Sequence, residues 1–473
     1  VLIPAPKFGA IKMERLHAIP TLVIFSLIFS IGGCGSSDSS DPSPGFIQFI
    51  NAIEDSPDLA IEVTDENDDT ILTISGLAFR EASSLNSRTR ATYDIEVTYS
   101  DPDSGFDERL LSSSIELNRN TLYSAVLTGT FAVPELRFIE RDEGDVTDSE
   151  SEDIEVQVLN LSSKTVTTFL GDDSDGTAST SEIATVAAGN NTQAVERAFD
   201  DDAEYHLRLT NENDELVFDS DRINISNASR YTIVVTDATG PDTEKPAAFI
   251  VTDSGQLVFS NSIAKSGFIV LNAVGDSTTM STDVEISATG DNLLSQSIAF
   301  TEVSALTVVD ANFTDVNAVD DSAPGTTYST TISLNEDTAY AFTLGGAVNG
   351  DDVSIRANEM DLRRVANAIN IHFVNGLRET DDEDNSEVDF YALKLGDSLS
   401  DTAPLARGVA FLEGTSVIAG AVPYDFVVTT GSTLSILAGP TRIFPDGGDR
   451  IVVAVTEAFG GGEPYQVITA AND

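Results

Sequence analysis

Three kinds of side chain in this sequence could do chemistry: a single thiol, a few imidazoles and a large surplus of carboxylates. Cys34 is the only cysteine, and it closes the run Leu27-Ile28-Phe29-Ser30-Ile31-Gly32-Gly33-Cys34. An apolar stretch from Ala18 to Ile31 precedes it, led by Met13-Glu14-Arg15. A basic start, a short apolar core and small residues at a cut site are the parts of a secretory signal. Ile31, Gly32 and Gly33 let the chain lie extended in a peptidase cleft. The thiol that follows is the one side chain nucleophilic enough to take a thioether-linked diacylglycerol. The pattern therefore reads as a lipoprotein signal with Cys34 as the lipidated residue. A membrane span would need roughly 20 apolar residues, more than this run supplies. Two or three acyl chains anchor a protein stably where one does not. Residues 1–12 carry no such logic, so Met13 is the expected start.

The carboxylates suggest calcium before any other ligand, because hard cations take carboxylate and carbonyl oxygens from loops. Gly171-Asp172-Asp173-Ser174-Asp175-Gly176 through Glu182 places Asp173, Asp175 and Glu182 at EF-hand spacing. Gly171 stands where that motif requires Asp, and no flanking helices are expected, so the three remain weak calcium candidates. Clusters such as Asp200-Asp201-Asp202 and Asp381-Asp382-Glu383-Asp384 read as solvated loop tips. Beyond Cys34 there are two histidines, His206 and His372, each within an expected strand and in different parts of the chain. Nucleophilic catalysis wants a base beside Ser or Cys and a third group to orient it. No Gly-x-Ser-x-Gly elbow, P-loop or His-Glu-x-x-His is present. The sequence thus offers no catalytic residue. A glycan hydrolase using paired carboxylates is the remote enzymatic alternative.

The elements that would carry these groups are strands. About 440 residues follow Cys34, enough for three or four domains. The chain holds 78 acidic and 25 basic residues, a net charge of −53. Nucleic acid is excluded as a partner on that balance, since phosphate contacts need clustered Lys and Arg. Disorder, the other reading of high charge, conflicts with a 41% hydrophobic content arranged in patterned runs. With Cys34 lipidated, no disulfide or thiolate metal site is available, so hydrophobic cores must hold the domains.

The chain repeats itself four times. An apolar strand ending in Asn opens each unit, at Asn51, Asn160, Asn272 and Asn375, spaced 109, 112 and 103 residues apart. Ala-Phe recurs at Ala78-Phe79, Ala299-Phe300 and Ala410-Phe411, with Ala184-Thr185 expected in its place in the second copy. A Tyr-led strand starts at Tyr123, Tyr231 and Tyr340; the fourth copy offers Arg450-Ile451-Val452. Alternating runs such as Ile95-Glu96-Val97-Thr98-Tyr99, punctuated by turns such as Asp101-Pro102-Asp103-Ser104-Gly105, predict seven or so short strands per unit. The expected fold is all-β: four tandem immunoglobulin-like β-sandwich repeats after a signal peptide. The expected divisions are a leader at 1–33, a lipidated Cys and tether at 34–45, and repeats at 46–142, 143–255, 256–358 and 359–473. A short helical turn is expected over Asn358–Asn367.

The first copy reads Phe49-Ile50-Asn51-Ala52, then Asp55-Ser56-Pro57-Asp58, Leu77-Ala78-Phe79, Tyr93-Asp94-Ile95-Glu96-Val97 and Leu122-Tyr123-Ser124-Ala125-Val126. This ordered set resembles the tandem bacterial surface family known as domain of unknown function 4397. Copy four resembles it through Tyr424-Asp425-Phe426-Val427-Val428, whereas copies two and three lack the Ser-Pro-Asp turn. The resemblance implies a β-sandwich in an extracytoplasmic setting and brings no catalytic residues. By resemblance to enterobacterial sorting rules, Gly35 after the cysteine favours the outer membrane. The expected protein is a non-enzymatic surface lipoprotein. Its repeats, strung on a short tether, would serve as a binding or spacer module for envelope proteins or glycans. A calcium-stiffened adhesin or matrix component is the alternative.

Overall fold

The computed structural model describes residues 43–101, 104–142, 153–172, 182–200, 202–322, 325–349, 352–378, 387–431 and 434–471. Among these, every regular element is a β-strand. The strands form eight sheets, two for each repeat. The outer sheet of the first repeat runs, in spatial order, Thr70–Leu77, Leu59–Thr64, Thr92–Ser100 and Asp107–Glu116. Its inner sheet is built on Gly45–Asn51 paired with Thr121–Thr130, which pairs in turn with Val133–Asp142. The other three repeats copy this plan. In all four the opening strand runs parallel to the strand that carries the marker Tyr, Arg450–Thr456 in the fourth, in a constant register. The residue four before the marker Asn sits opposite the marker Tyr, as Ile47↔Tyr123, Val156↔Tyr231 and Phe268↔Tyr340, with Ile371↔Ile451 in the fourth.

Each pair of sheets encloses its own core. Phe49, Ile61, Val97 and Tyr123 belong to the first; Phe373, Phe390, Phe426 and Val453 belong to the fourth. Outer strands such as Thr92–Ser100 alternate buried and exposed residues, as a half-solvated sheet requires. Inner strands do not: every residue of Ala339–Gly346 and of Ala368–Asn375 is buried. Their second face is covered by another repeat. Ile50 and Val126 of the first repeat share an apolar cluster with Leu159, Val234, Phe249 and Val251 of the second. Ile269, Leu271 and Ala341 of the third share one with Val374, Val452 and Ala454 of the fourth. The eight buried side chains of the first interface contribute on the order of 10 kcal/mol against exposure to water. The repeats are therefore two back-to-back pairs, an arrangement that the repeat pattern alone leaves open between a rod and a packed assembly.

The repeat markers are structural. Each marker Asn is fully buried and ties the two sheets together. Asn272 Nδ2 donates to the Ile298 carbonyl at 2.9 Å and its Oδ1 accepts the Val274 N–H at 3.0 Å. Asn51 does the same with Leu77 and Ile53, Asn160 with Val186 and Ser162, and Asn375 with Val409 and Leu377. The marker Tyr closes a tyrosine corner, its hydroxyl accepting an N–H five residues upstream from Asn118, Ser226 or Asn335. The Ala-Phe marker follows the carbonyl that the Asn grips, and the residue after Phe has positive φ: Arg80, Thr301 and Leu412. This corrects the second copy. Its equivalent is Val186-Ala187-Ala188-Gly189, with Gly189 at φ 73°, and not Ala184-Thr185. The turn expected over Asn358–Asn367 is also corrected, since strand Ser354–Met360 runs through its start and no helix follows. Strand Gly255–Val258 pairs with Pro246–Thr252, so the second repeat's inner sheet reaches past residue 255.

Candidate functional site

Cys34 and the residues before it, Ile31, Gly32 and Gly33, lie outside the described residues, as do Asp173 and Asp175. Glu182 opens the exposed edge strand Glu182–Val186, which pairs antiparallel with Val166–Asp172. The candidate calcium segment thus joins two strands of one sheet, whereas an EF-hand joins two helices. Among the described residues no group of three or more His, Cys, Asp or Glu side chains converges in a metal-holding arrangement.

The two histidines are far apart in role. His206 faces outward from the second repeat's outer sheet, its Nδ1 3.4 Å from Asp219 Oδ1, while Arg208 Nε lies 2.8 Å from Asp219 Oδ2. The neighbouring Ser220 hydroxyl is spent on Leu207 N–H and Asp221 carbonyl, so no activated nucleophile adjoins the imidazole. His372 is buried in the interface of the second pair, with Nδ1 3.1 Å from Ser416 Oγ and Nε2 left without a partner. Burial holds its pKa down at about 4, so the ring is neutral. Gly414 makes room for it: a Cβ there would come within 2.7 Å of Nε2.

Two concavities stand out. One, of about 380 Å³, lies where all four repeats converge, lined by Arg80, Pro241, Asp337, Glu359, Asp361 and Ser416. Arg80 is fastened across the first interface by Nε to Thr236 Oγ1 at 3.2 Å and Nη2 to the Asp237 carbonyl at 2.9 Å. Burial raises the Asp337 pKa against the pull of Arg80. The fourth repeat's leader reaches the first repeat through Ala366 N–H and the Asp55 carbonyl at 2.9 Å. This centre works as a polar joint.

The other concavity, of about 480 Å³, opens on the outer sheet of the fourth repeat. Strands Glu387–Lys394, Tyr424–Thr430 and Ile436–Ile443 meet there in the register Leu393↔Asp425↔Arg442. Arg442 grips Asp425 with both prongs of its fork, Nε to Oδ1 at 2.7 Å and Nη2 to Oδ2 at 2.5 Å. Those bonds hold the Asp425 pKa below the usual carboxylate range. Leu395, Pro423 and Phe444 follow at the strand ends, with Leu395 82% and Phe444 75% exposed. Sequence reasoning missed this groove because its residues come from three separate segments. The isolated exposure of Phe444, in a Phe-Pro-Asp-Gly turn, was the only local signal.

Comparison with known proteins places a family model on part of the chain. Residues 45–168 match the domain of unknown function DUF4397, the family that the first copy's motifs resemble. That span covers the first repeat and the opening of the second. No curated protein matches the chain. Among solved structures, the Bacillus anthracis TIE protein aligns at 9% identity and TM-score 0.16, covering 89% of this chain and 75% of that one. A candidate cell adhesion protein from Bacteroides fragilis aligns at 13% identity and TM-score 0.16, covering 70% and 93%. A candidate polysaccharide binding protein from Bacteroides thetaiotaomicron aligns at 10% identity and TM-score 0.15, covering 46% and 98%. At such TM-scores these likenesses carry no argument about partner or activity.

Proposed function

We propose that the protein is a non-enzymatic cell-envelope lipoprotein, held by acyl chains on Cys34, that presents paired β-sandwiches as a surface binding module. The observation that supports this best is the back-to-back pairing. It consumes the inner sheets of all four repeats and leaves outer sheets and loop ends as the contact surface. A spacer gains nothing from folding its units onto one another, because that halves its reach; a platform gains rigidity. The chemistry-bearing residues agree with this reading. His206 is engaged with a carboxylate in an outward ion-pair group and His372 is a neutral, buried interface residue. Envelope glycans or envelope proteins are the proposed partners, and the outer membrane the proposed location.

The anchor is tested by expressing the full chain in a bacterial host fed a labelled fatty acid. The wild-type chain takes the label and sediments with membranes. Cys34→Ser takes none and is released in soluble form. A labelled Cys34→Ser chain, or an unlabelled wild-type chain with an intact thiol, overturns the anchor.

A further inference from the structure

We propose that the groove on the fourth repeat's outer sheet is a subsite for one sugar ring of a neutral polysaccharide. The proposal rests on the surface-binding reading above and gives it a location. The side chains are arranged in two rows. Leu393, Asp425 and Arg442 lie opposite one another across three adjacent strands. Leu395, Pro423 and Phe444, just beyond the ends of these three strands, line the same groove. The intervening Tyr424 points the other way, into the core, where its ring stacks 6.1 Å from that of Phe426.

A pyranose has one face of C–H groups and a rim of hydroxyls that both donate and accept. It needs, within one ring's width, a flat apolar platform and a coplanar donor–acceptor pair. Leu395, Pro423 and Phe444 supply the platform. The Arg442–Asp425 fork supplies the pair, with its side chains 50% and 24% exposed. Arginine carries five N–H donors and the fork uses two, so three remain, and each carboxylate oxygen keeps a free lone pair. The fork also costs a ligand little, because it is already assembled.

Charge selects the class of sugar. The groove sets Lys394 and Arg442 against Asp397 and Asp425, a local balance of zero within a chain of net charge −53. An acidic polysaccharide is repelled by the surrounding field, and a neutral one is not. The matching face of the first repeat, with Glu62, Asp94 and Glu96, is plainly acidic. A volume of about 480 Å³ lies within the range of small-ligand sites.

The test is affinity electrophoresis of the full chain through gels containing a neutral β-glucan, mannan or galactan, with a polyuronate gel for comparison. At least one neutral polymer is expected to retard the wild type, and the polyuronate is not. Phe444→Ala and Asp425→Asn are expected to weaken that binding about tenfold or more. Phe313→Ala, at an exposed aromatic on the third repeat, leaves it unchanged. Phe444 is so exposed that its truncation leaves the fold intact. Retardation that survives Phe444→Ala overturns the site while leaving the surface-binding reading in place. Binding to phosphatidylglycerol–phosphatidylcholine vesicles in place of any glycan, lost in Phe444→Ala, overturns the sugar in favour of a lipid surface. A wild type retarded by no neutral polymer also overturns the proposal.

Discussion

His372 offers the sharpest test of the paired arrangement, because its ionisation reports directly on whether the second interface is closed. The ring is buried with Nε2 unpartnered, and burial alone lowers its pKa from 6.5 to about 4. A depressed folded-state pKa means that the unfolded chain binds the proton first. Stability is therefore whole above the unfolded value near 6.5 and is lost progressively as pH falls toward the folded value of about 4. The full shift corresponds to roughly 3 kcal/mol, and the part already lost at pH 5 is about 2 kcal/mol. Other carboxylates titrate over the same range, so the comparison must be with a chain differing at one side chain. His372→Gln is the natural choice: Gln48 and Gln157 occupy the same position, three residues before the marker Asn, in the first pair. Calorimetric melting at pH 7.5 and pH 5 should show wild type losing more stability than His372→Gln by about 2 kcal/mol, confined to the transition of repeats three and four. An NMR titration of the imidazole gives the pKa itself. A His372 ring titrating near 6.5 would mean an open interface, and the pairing would be wrong.

Three further outcomes follow from the same contacts. Asn375→Leu strands the Val409 carbonyl and the Leu377 N–H inside the fourth repeat and should cost about 2–4 kcal/mol, read as a lowered melting temperature. Arg141 and Glu155 form an ion pair at 3.2 Å with side chains 7% and 8% exposed beside the first interface. Arg141→Ala takes away one of the two arginines beside the buried Glu155 carboxylate, leaving Arg230, and should destabilise by about 2–4 kcal/mol, whereas the double change Arg141→Met/Glu155→Met should recover most of that loss in the same melt. Tyr231→Phe removes the hydroxyl that accepts from Ser226 N–H and donates to its carbonyl. It should lower the stability of the second repeat by about 1–2 kcal/mol in denaturant titration.

How much was legible in the sequence depended on the range of the physics involved. Strand count, repeat period and the four opening strands were legible because they follow from local alternation and from the spacing of Asn51, Asn160, Asn272 and Asn375. The sequence also carries a clue to the pairing. Runs such as Phe268-Ile269-Val270-Leu271 are apolar at every position, and a sheet with one wet face would alternate; only a strand covered on both sides reads so. The second copy's marker was misplaced because Ala187-Ala188-Gly189 keeps the backbone requirement, a positive φ after the turn, while losing the Phe that made the other copies visible. The groove was not legible, since Leu395, Pro423 and Phe444 become neighbours only through strand register.

The four copies also show what is preserved when a motif dissolves. The first copy's Asp55, in the Asp-Ser-Pro-Asp turn, accepts the N–H of Phe131 with Oδ1 at 2.8 Å and so ties the opening turn to the loop after the penultimate strand. In the third copy Asp276 makes the same tie to the N–H groups of Val348 and Asn349, although the proline is gone. The second copy reverses the polarity: Asp237, at the end of the strand parallel to the opening one, accepts from the N–H and hydroxyl of Ser163 in the turn. The fourth replaces it with an ion pair, Arg378 from the turn gripping Glu457 at 2.9 and 3.2 Å. Three chemistries thus close one joint in the four copies. That joint lies beside the parallel strand pair, where the Asn clamp has already fixed the turn, so any complementary pair of short reach can serve. Selection on such a joint acts on geometry and leaves the residue types free. The buried Asn, whose amide must donate to the outer sheet and accept the backbone N–H two residues further along its own chain, has no substitute of the same shape and so persists in all four copies.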